Sequence, residues 1–301
     1  MSDLSPARIA AAAGVVDPVF LGTPQFVSER LSAALGREVL VKVETLNPIG
    51  SFKGRGASLL AQSLDPARTW VCATGGNFGQ GVAYAARARG AAAHVFVVPD
   101  ALPAKLESMR SVGARVEVSE RADEAARAFV AAAPGERVLI VDGLQREIAE
   151  GAGTIGIELA GAGAIGAAVV QLGDGALITG VACALKAAAP ATRVVGVCAS
   201  GAPAMAESFR VGRPVRVEGA GTIAPTLAIL EPVPESLARV LELVDDVVLV
   251  DDEDMLAAAQ LIAECLGLLV EPAGAAGVAA LLRHGAGLPD GRVAVLLTGA
   301  A

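Results

Sequence analysis

The chain has 301 residues; 53% are hydrophobic but only 3% aromatic, so its core has to be built from Ala, Val, Leu and Ile. A net charge of −8, with no basic block or stripe, argues against a nucleic-acid or anionic-membrane surface. Four scattered cysteines without a C-x-x-C pair, and only two histidines, leave few ligands for a zinc site and read as free thiols in a reducing cytoplasm.

Ser5-Pro6 has the form of a helix start, and the N-terminal residues lack a secretory pattern. Apolar runs of strand length follow at residues 39–43, 70–73, 94–98, 115–118, 138–141, 168–171, 193–197, 247–250 and 293–297. Between them lie alanine-rich segments of helical pattern, at residues 79–89, 105–111, 121–132, 177–188 and 254–266. A further short strand is expected at 268–270. This alternation predicts an α/β fold of mostly parallel, doubly covered strands. The weakly charged region 159–185, broken only by Asp174, carries too many glycines for a membrane span and reads as strand, turn and helix.

In open sheets of this kind ligands sit where strand ends lead into helix N-termini. Two G-x-G-x-x-G matches, GAGTIG (151–156) and GAGAIG (161–166), follow helical rather than strand patterns, so they read as turn and packing glycines. LGDGAL (172–177) does follow a strand. It is either a phosphate cradle on a helix N-terminus or a tight turn without a ligand, and Asp174 would have to turn outward in the first case. TGGNFGQG (74–81) also follows a strand and leads into a helix near Asn77. Glu271, in EPAGAAG, is either a capping acid or an active-site carboxylate. Lys53, in SFKGRGA, is one of only four lysines among 24 basic residues. Arg55, two residues on, reads as structural.

VKVETLNPIGSFKGRGA, ATGGNFGQG, GAGTIGIEL, GDGAL, EPAGAAG and LLTGA occur in one order along the chain. Together they resemble the fold type II pyridoxal-phosphate enzymes of the serine/threonine dehydratase branch. The resemblance implies two three-layer open-sheet domains (tryptophan synthase β-like), a large one of residues 1–65 and 146–301 and a small mobile one of 66–145. It implies pyridoxal 5'-phosphate as cofactor, with Lys53 as Schiff-base anchor and base, Phe52 beside the ring and Asn77 on the ring oxygen. Gly173, Asp174, Gly175, Ala176 and Leu177 would hold the phosphate, and Thr298 would meet the pyridine nitrogen. Ser51, Thr74, Gly75, Gly76, Phe78 and Glu271 would face a small amino-acid substrate. Burial of Lys53 is expected to lower its pKa.

The implied activity is β-elimination from serine, threonine or a related β-substituted amino acid, giving a 2-oxo acid and ammonia. The alternatives are β-replacement of the cysteine-synthase type and a silent cofactor-binding homologue. Gly75 stands where racemases of this fold carry a serine, so racemisation is not expected. Cys198 and Pro225 stand where metal-binding relatives carry acids, so no metal site is expected. A soluble cytoplasmic homodimer without nucleic-acid or membrane partners completes the reading.

Overall fold

A computed structural model describes residues 3–301. The strands, in chain order, are β1 (Gln25–Val27), β2 (Val39–Val43), β3 (Thr69–Ala73), β4 (Ala93–Val97), β5 (Ala114–Val118), β6 (Arg137–Leu139), β7 (Ala167–Gln171), β8 (Arg193–Ala199), β9 (Asp246–Val250) and β10 (Val293–Leu297). They form a six-stranded sheet in the order β1-β2-β10-β7-β8-β9 and a four-stranded sheet in the order β5-β4-β3-β6. All neighbours run parallel except β1, which pairs antiparallel with β2. The α/β expectation holds, and every predicted strand but one is present to within a few residues. β1 was missed because QFV is too short to register as an apolar run. The exception, expected at 268–270, is only a single bridge, Val270 to Ala300, because the proline at 272 starts a helix at once.

Side-chain alternation divides the larger sheet between two cores. Val39, Val41, Val169, Val295 and Leu297 face one cluster, against the helices Asp252–Leu266 and Pro272–His284. Leu40, Ala168, Val170, Ala294 and Leu296 face the other, against the helices Arg146–Ala160 and Ala176–Ala188. Each fully buried Val, Leu or Ile side chain contributes about 1.5–3 kcal/mol, so both faces are needed to hold strands this rich in small residues. In the smaller sheet Trp70, Cys72, Val95 and Val97 pack towards the helix Asn77–Arg89, and Val71 and Phe96 towards Ala122–Ala131.

The first G-x-G-x-x-G stretch is not a turn. It lies inside the helix Arg146–Ala160, where its glycines let backbones touch. A Cβ on Gly151 would sit 2.5 Å from the Arg55 carbonyl oxygen, and one on Gly156 2.6 Å from that of Val181. The second stretch is the turn that leads into β7. Among the described residues no helix is long and apolar enough to cross a membrane.

Candidate active site

Strand order brings distant parts of the sequence to one edge. β10 lies between β2 and β7, with Leu297 level with Val43 and Val295 with Val169. The carboxyl ends of these three strands are therefore neighbours. Thr298 follows β10, the loop 172–175 follows β7, and the segment after β2 returns so that the Phe52 N–H donates to the Thr298 carbonyl at 3.2 Å. Opposite them, the end of β3 carries Thr74 to Asn77. One cleft results, lined among others by Phe52, Lys53, Asn77, Gly173, Asp174, Gly175, Leu177, Glu271 and Thr298.

Lys53 is the first residue of the helix Lys53–Leu60, and its side chain is 9% exposed. Its Nζ lies 4.8 Å from the Phe52 ring centre and 5.5 Å from that of Phe78. It donates to Asp142 Oδ2 and, at 3.3 Å, to Asp174 Oδ2. The expected fall in its pKa does not occur. Burial alone would lower it, but the two carboxylates outweigh burial and hold the amine as a cation well above the usual lysine range. Burial and the neighbouring Asp174 push Asp142 up to about 7, against the pull of Lys53. Its other oxygen, Oδ1, is buried without a partner among the described residues.

Asp174 does not turn outward. Its Oδ1 accepts the Ala176 N–H at 2.8 Å, at the start of the helix Ala176–Ala188, while Oδ2 faces Lys53. Burial would raise its pKa, yet the Lys53 charge and the Ala176 N–H hold it below the usual carboxylate range. The inward rotamer follows from electrostatics, because the carboxylate bridges a helix N-terminus and an ammonium.

The Asn77 side chain is held at both ends. Its Nδ2 donates to Glu271 Oε1 at 2.9 Å, and its Oδ1 accepts from Lys105 Nζ at 2.8 Å. Lys105 also pairs with Glu271 Oε2 at 3.1 Å. Glu271 stands at the N-cap of the helix Pro272–His284 without a side-chain cap bond, so it serves the cleft rather than the helix end. Ser51 is fully buried and bridged to Gly299, and its Oγ has no partner among the described residues. Thr74 Oγ1 accepts the Gly76 N–H at 3.2 Å. A Cβ on Gly75 would lie 3.2 Å from that of Ala101, and one on Gly76 3.0 Å from Thr226 Cγ2. Phe78 is part of the core around Trp70 and Cys72.

Sequence reading missed Asp142, Lys105, Gln171 and Thr226. Asp142 had a usable signal, since it is an acid just beyond the end of β6. Gln171 ends β7 in the cleft, its Nε2 donating to the carbonyls of Gly274 and Leu296. Behind the site Arg55 is fully buried, bonded to Glu44 at 2.8 and 2.9 Å and to Glu158 at 2.6 and 3.0 Å. It pins the first turn of the Lys53 helix, in keeping with its structural reading. Cys198 is buried, with Sγ 3.2 Å from the Leu172 carbonyl, and Pro225 opens a short 3-10 turn.

A phosphorylated aldehyde fits this set of groups. Gly175, at φ 96°, turns the loop into the helix, and a Cβ on Gly173 would be 2.6 Å from the Thr226 carbonyl, so only glycines keep the loop this close. An anion, the Asp174 carboxylate, already occupies the helix N-terminus. An amine, an amide and a neutral buried hydroxyl (Lys53, Asn77 and Thr298) share the same cleft.

Comparison with known proteins agrees. The chain is 36% identical over 293 residues to the phenylserine dehydratase of Ralstonia pickettii, covering 92% of this chain and 87% of that protein. The crystal structure of a threonine deaminase from T.th. superimposes with a TM-score of 0.90 at 33% identity, covering 99% of this chain and 98% of that one. Maize serine racemase gives a TM-score of 0.90 at 30% identity, over 98% of this chain and 93% of that one. The family model described as pyridoxal-phosphate dependent enzyme matches residues 16–299. The chain therefore belongs to the family of pyridoxal-phosphate-dependent enzymes, and pyridoxal 5'-phosphate is its cofactor.

Proposed function

We propose that the protein is a pyridoxal-phosphate-dependent ammonia-lyase acting on serine, threonine or a related β-hydroxy amino acid. It releases a 2-oxo acid and ammonia. The observation that carries this reading is the cleft in which Lys53, the glycine loop and Thr298 lie at the ends of three adjacent strands. When bound, the cofactor supplies the electron sink that makes the Cα proton of an amino acid labile.

The chain's own residues then divide the work. Lys53 would be the covalent anchor and, once its amine is free, the base that takes the Cα proton. The backbone of Gly173, Asp174, Gly175, Ala176 and Leu177 would hold the phosphate, and Asn77 would hold the ring oxygen. Thr298, a neutral hydroxyl rather than a carboxylate, would meet the pyridine nitrogen without holding a proton on it. Ser51, Thr74, Gly75, Gly76 and Glu271 would face the substrate, while Phe78, a core residue, bears on the site through Lys53, whose Nζ lies 5.5 Å from its ring centre. Gly75 offers no acid or base on the side opposite Lys53, which counts against racemisation despite the likeness to maize serine racemase. Residues 66–145 act as a small domain that closes over the substrate, with the rest of the chain as the large one. The working form is a cytoplasmic homodimer.

Incubating the purified protein with its cofactor and, in turn, L-serine, L-threonine and L-phenylserine tests this reading. Phenylserine joins the panel because a relative carries its name. Steady release of 2-oxo acid and ammonia from one amino acid alone is the expected result. Turnover only with an added thiol or amine nucleophile, or D-amino acid without 2-oxo acid, would overturn it.

A further inference from the structure

At the phosphate loop, the chain supplies an anion of its own. Asp174 Oδ1 accepts the Ala176 N–H at 2.8 Å and Oδ2 lies 3.3 Å from Lys53 Nζ, so one side chain engages both the helix N-terminus and the anchor amine. A phosphate bound to the same loop needs the same N–H groups, and a backbone N–H does not serve two anions fully at once.

The loop backbone has little freedom to relieve this conflict. Ser236 Oγ donates to the Asp174 carbonyl, and Gly173 packs against the Thr226 carbonyl. The Asp174 side chain is different: it is 24% exposed and has a route to water. When it leaves, Lys53 keeps Asp142 as counter-ion.

We propose that the Asp174 carboxylate is an internal occupant of the phosphate cradle and rotates out of it to admit the cofactor's phosphate. Asp174 thus lowers phosphate affinity, and the residue sets how tightly the cofactor is held. The inference rests on the reading of the cleft as the cofactor site. The carboxylate charge opposes a phosphate at close range, an effect worth roughly tenfold or more in affinity where water screens only partly.

The test is an absorbance titration of the full chain with pyridoxal phosphate and, separately, with pyridoxal. Wild type, Asp174→Asn and Asp174→Gly are compared, with circular dichroism to verify folding. Loss of a Lys53 partner affects both probes alike, so the ratio of the two dissociation constants isolates the phosphate. Relative to pyridoxal, pyridoxal phosphate is expected to bind roughly tenfold tighter in Asp174→Asn, and tighter still in Asp174→Gly. An unchanged or reversed ratio in the folded variants would overturn the proposal while leaving the cofactor site intact. Failure of the wild type to take up either probe would sink the cofactor reading and this inference with it.

Discussion

Lys53 is held by charge as much as by burial. Its position at the start of a helix disfavours a cation, yet Asp142 and Asp174 reverse that preference and hold the amine protonated. A protonated amine cannot attack a carbonyl, so these acids govern when Lys53 becomes reactive. Removing one counter-charge lowers the pKa of the amine that remains. Asp142→Asn should therefore move the pH dependence of Lys53 modification by pyridoxal to lower pH, by about one unit or more on the usual scale of carboxylate-cation pairs. Borohydride trapping across a pH series measures this, and a midpoint that stays put or rises would refute it. Lys53 and Thr298 were legible through the ordered motifs that carry the family resemblance, not through their local pattern. The position of Asp142 beyond a strand end was visible, but its partnership with Lys53 was not, since the two lie 89 residues apart in the chain. The inward turn of Asp174 escaped the sequence for a related reason: the rotamer is chosen by an ammonium from another element.

At the scale of elements, three helices carry the site, and their glycines set how closely they pack. The helices Lys53–Leu60, Arg146–Ala160 and Ala176–Ala188 meet where Gly151 touches the Arg55 backbone and Gly180 touches that of Ala149. The pattern that resembles a dinucleotide loop is thus the packing face behind the anchor lysine and the phosphate loop. A Cβ on Gly180 would overlap the Ala149 carbonyl oxygen, which is backbone and cannot swing aside. Gly180→Ala should cost about 3 kcal/mol, the upper end for overpacking, and weaken cofactor binding by displacing the phosphate helix. Urea unfolding with and without cofactor measures both effects; a stable variant with unchanged affinity would count against this packing account. Sequence reading took these glycines for turn and packing glycines, and packing is what the first set does. The turn half of that reading does not hold for the first set, because local pattern does not reveal which helix lies opposite.

For the whole molecule, the decisive event is the insertion of the last strand between β2 and β7. Pattern alone gives strands and helices in order, and the fold class follows from their alternation. It does not give the pairing of Val293 with Val39 and Ala167, on which the meeting of Lys53, Asp174 and Thr298 depends. Only the ordered motifs, through their family resemblance, anticipated that meeting. The same architecture brings a second amine, Lys105, against two residues that line the cleft, Glu271 and Asn77. Which lysine carries the cofactor is therefore the most direct question to ask. Reducing the cofactor-loaded protein with borohydride, digesting it and mapping the adduct by mass spectrometry answers it. The account predicts the adduct on Lys53 and its loss in Lys53→Ala; an adduct on Lys105, or one that survives the substitution, would contradict it.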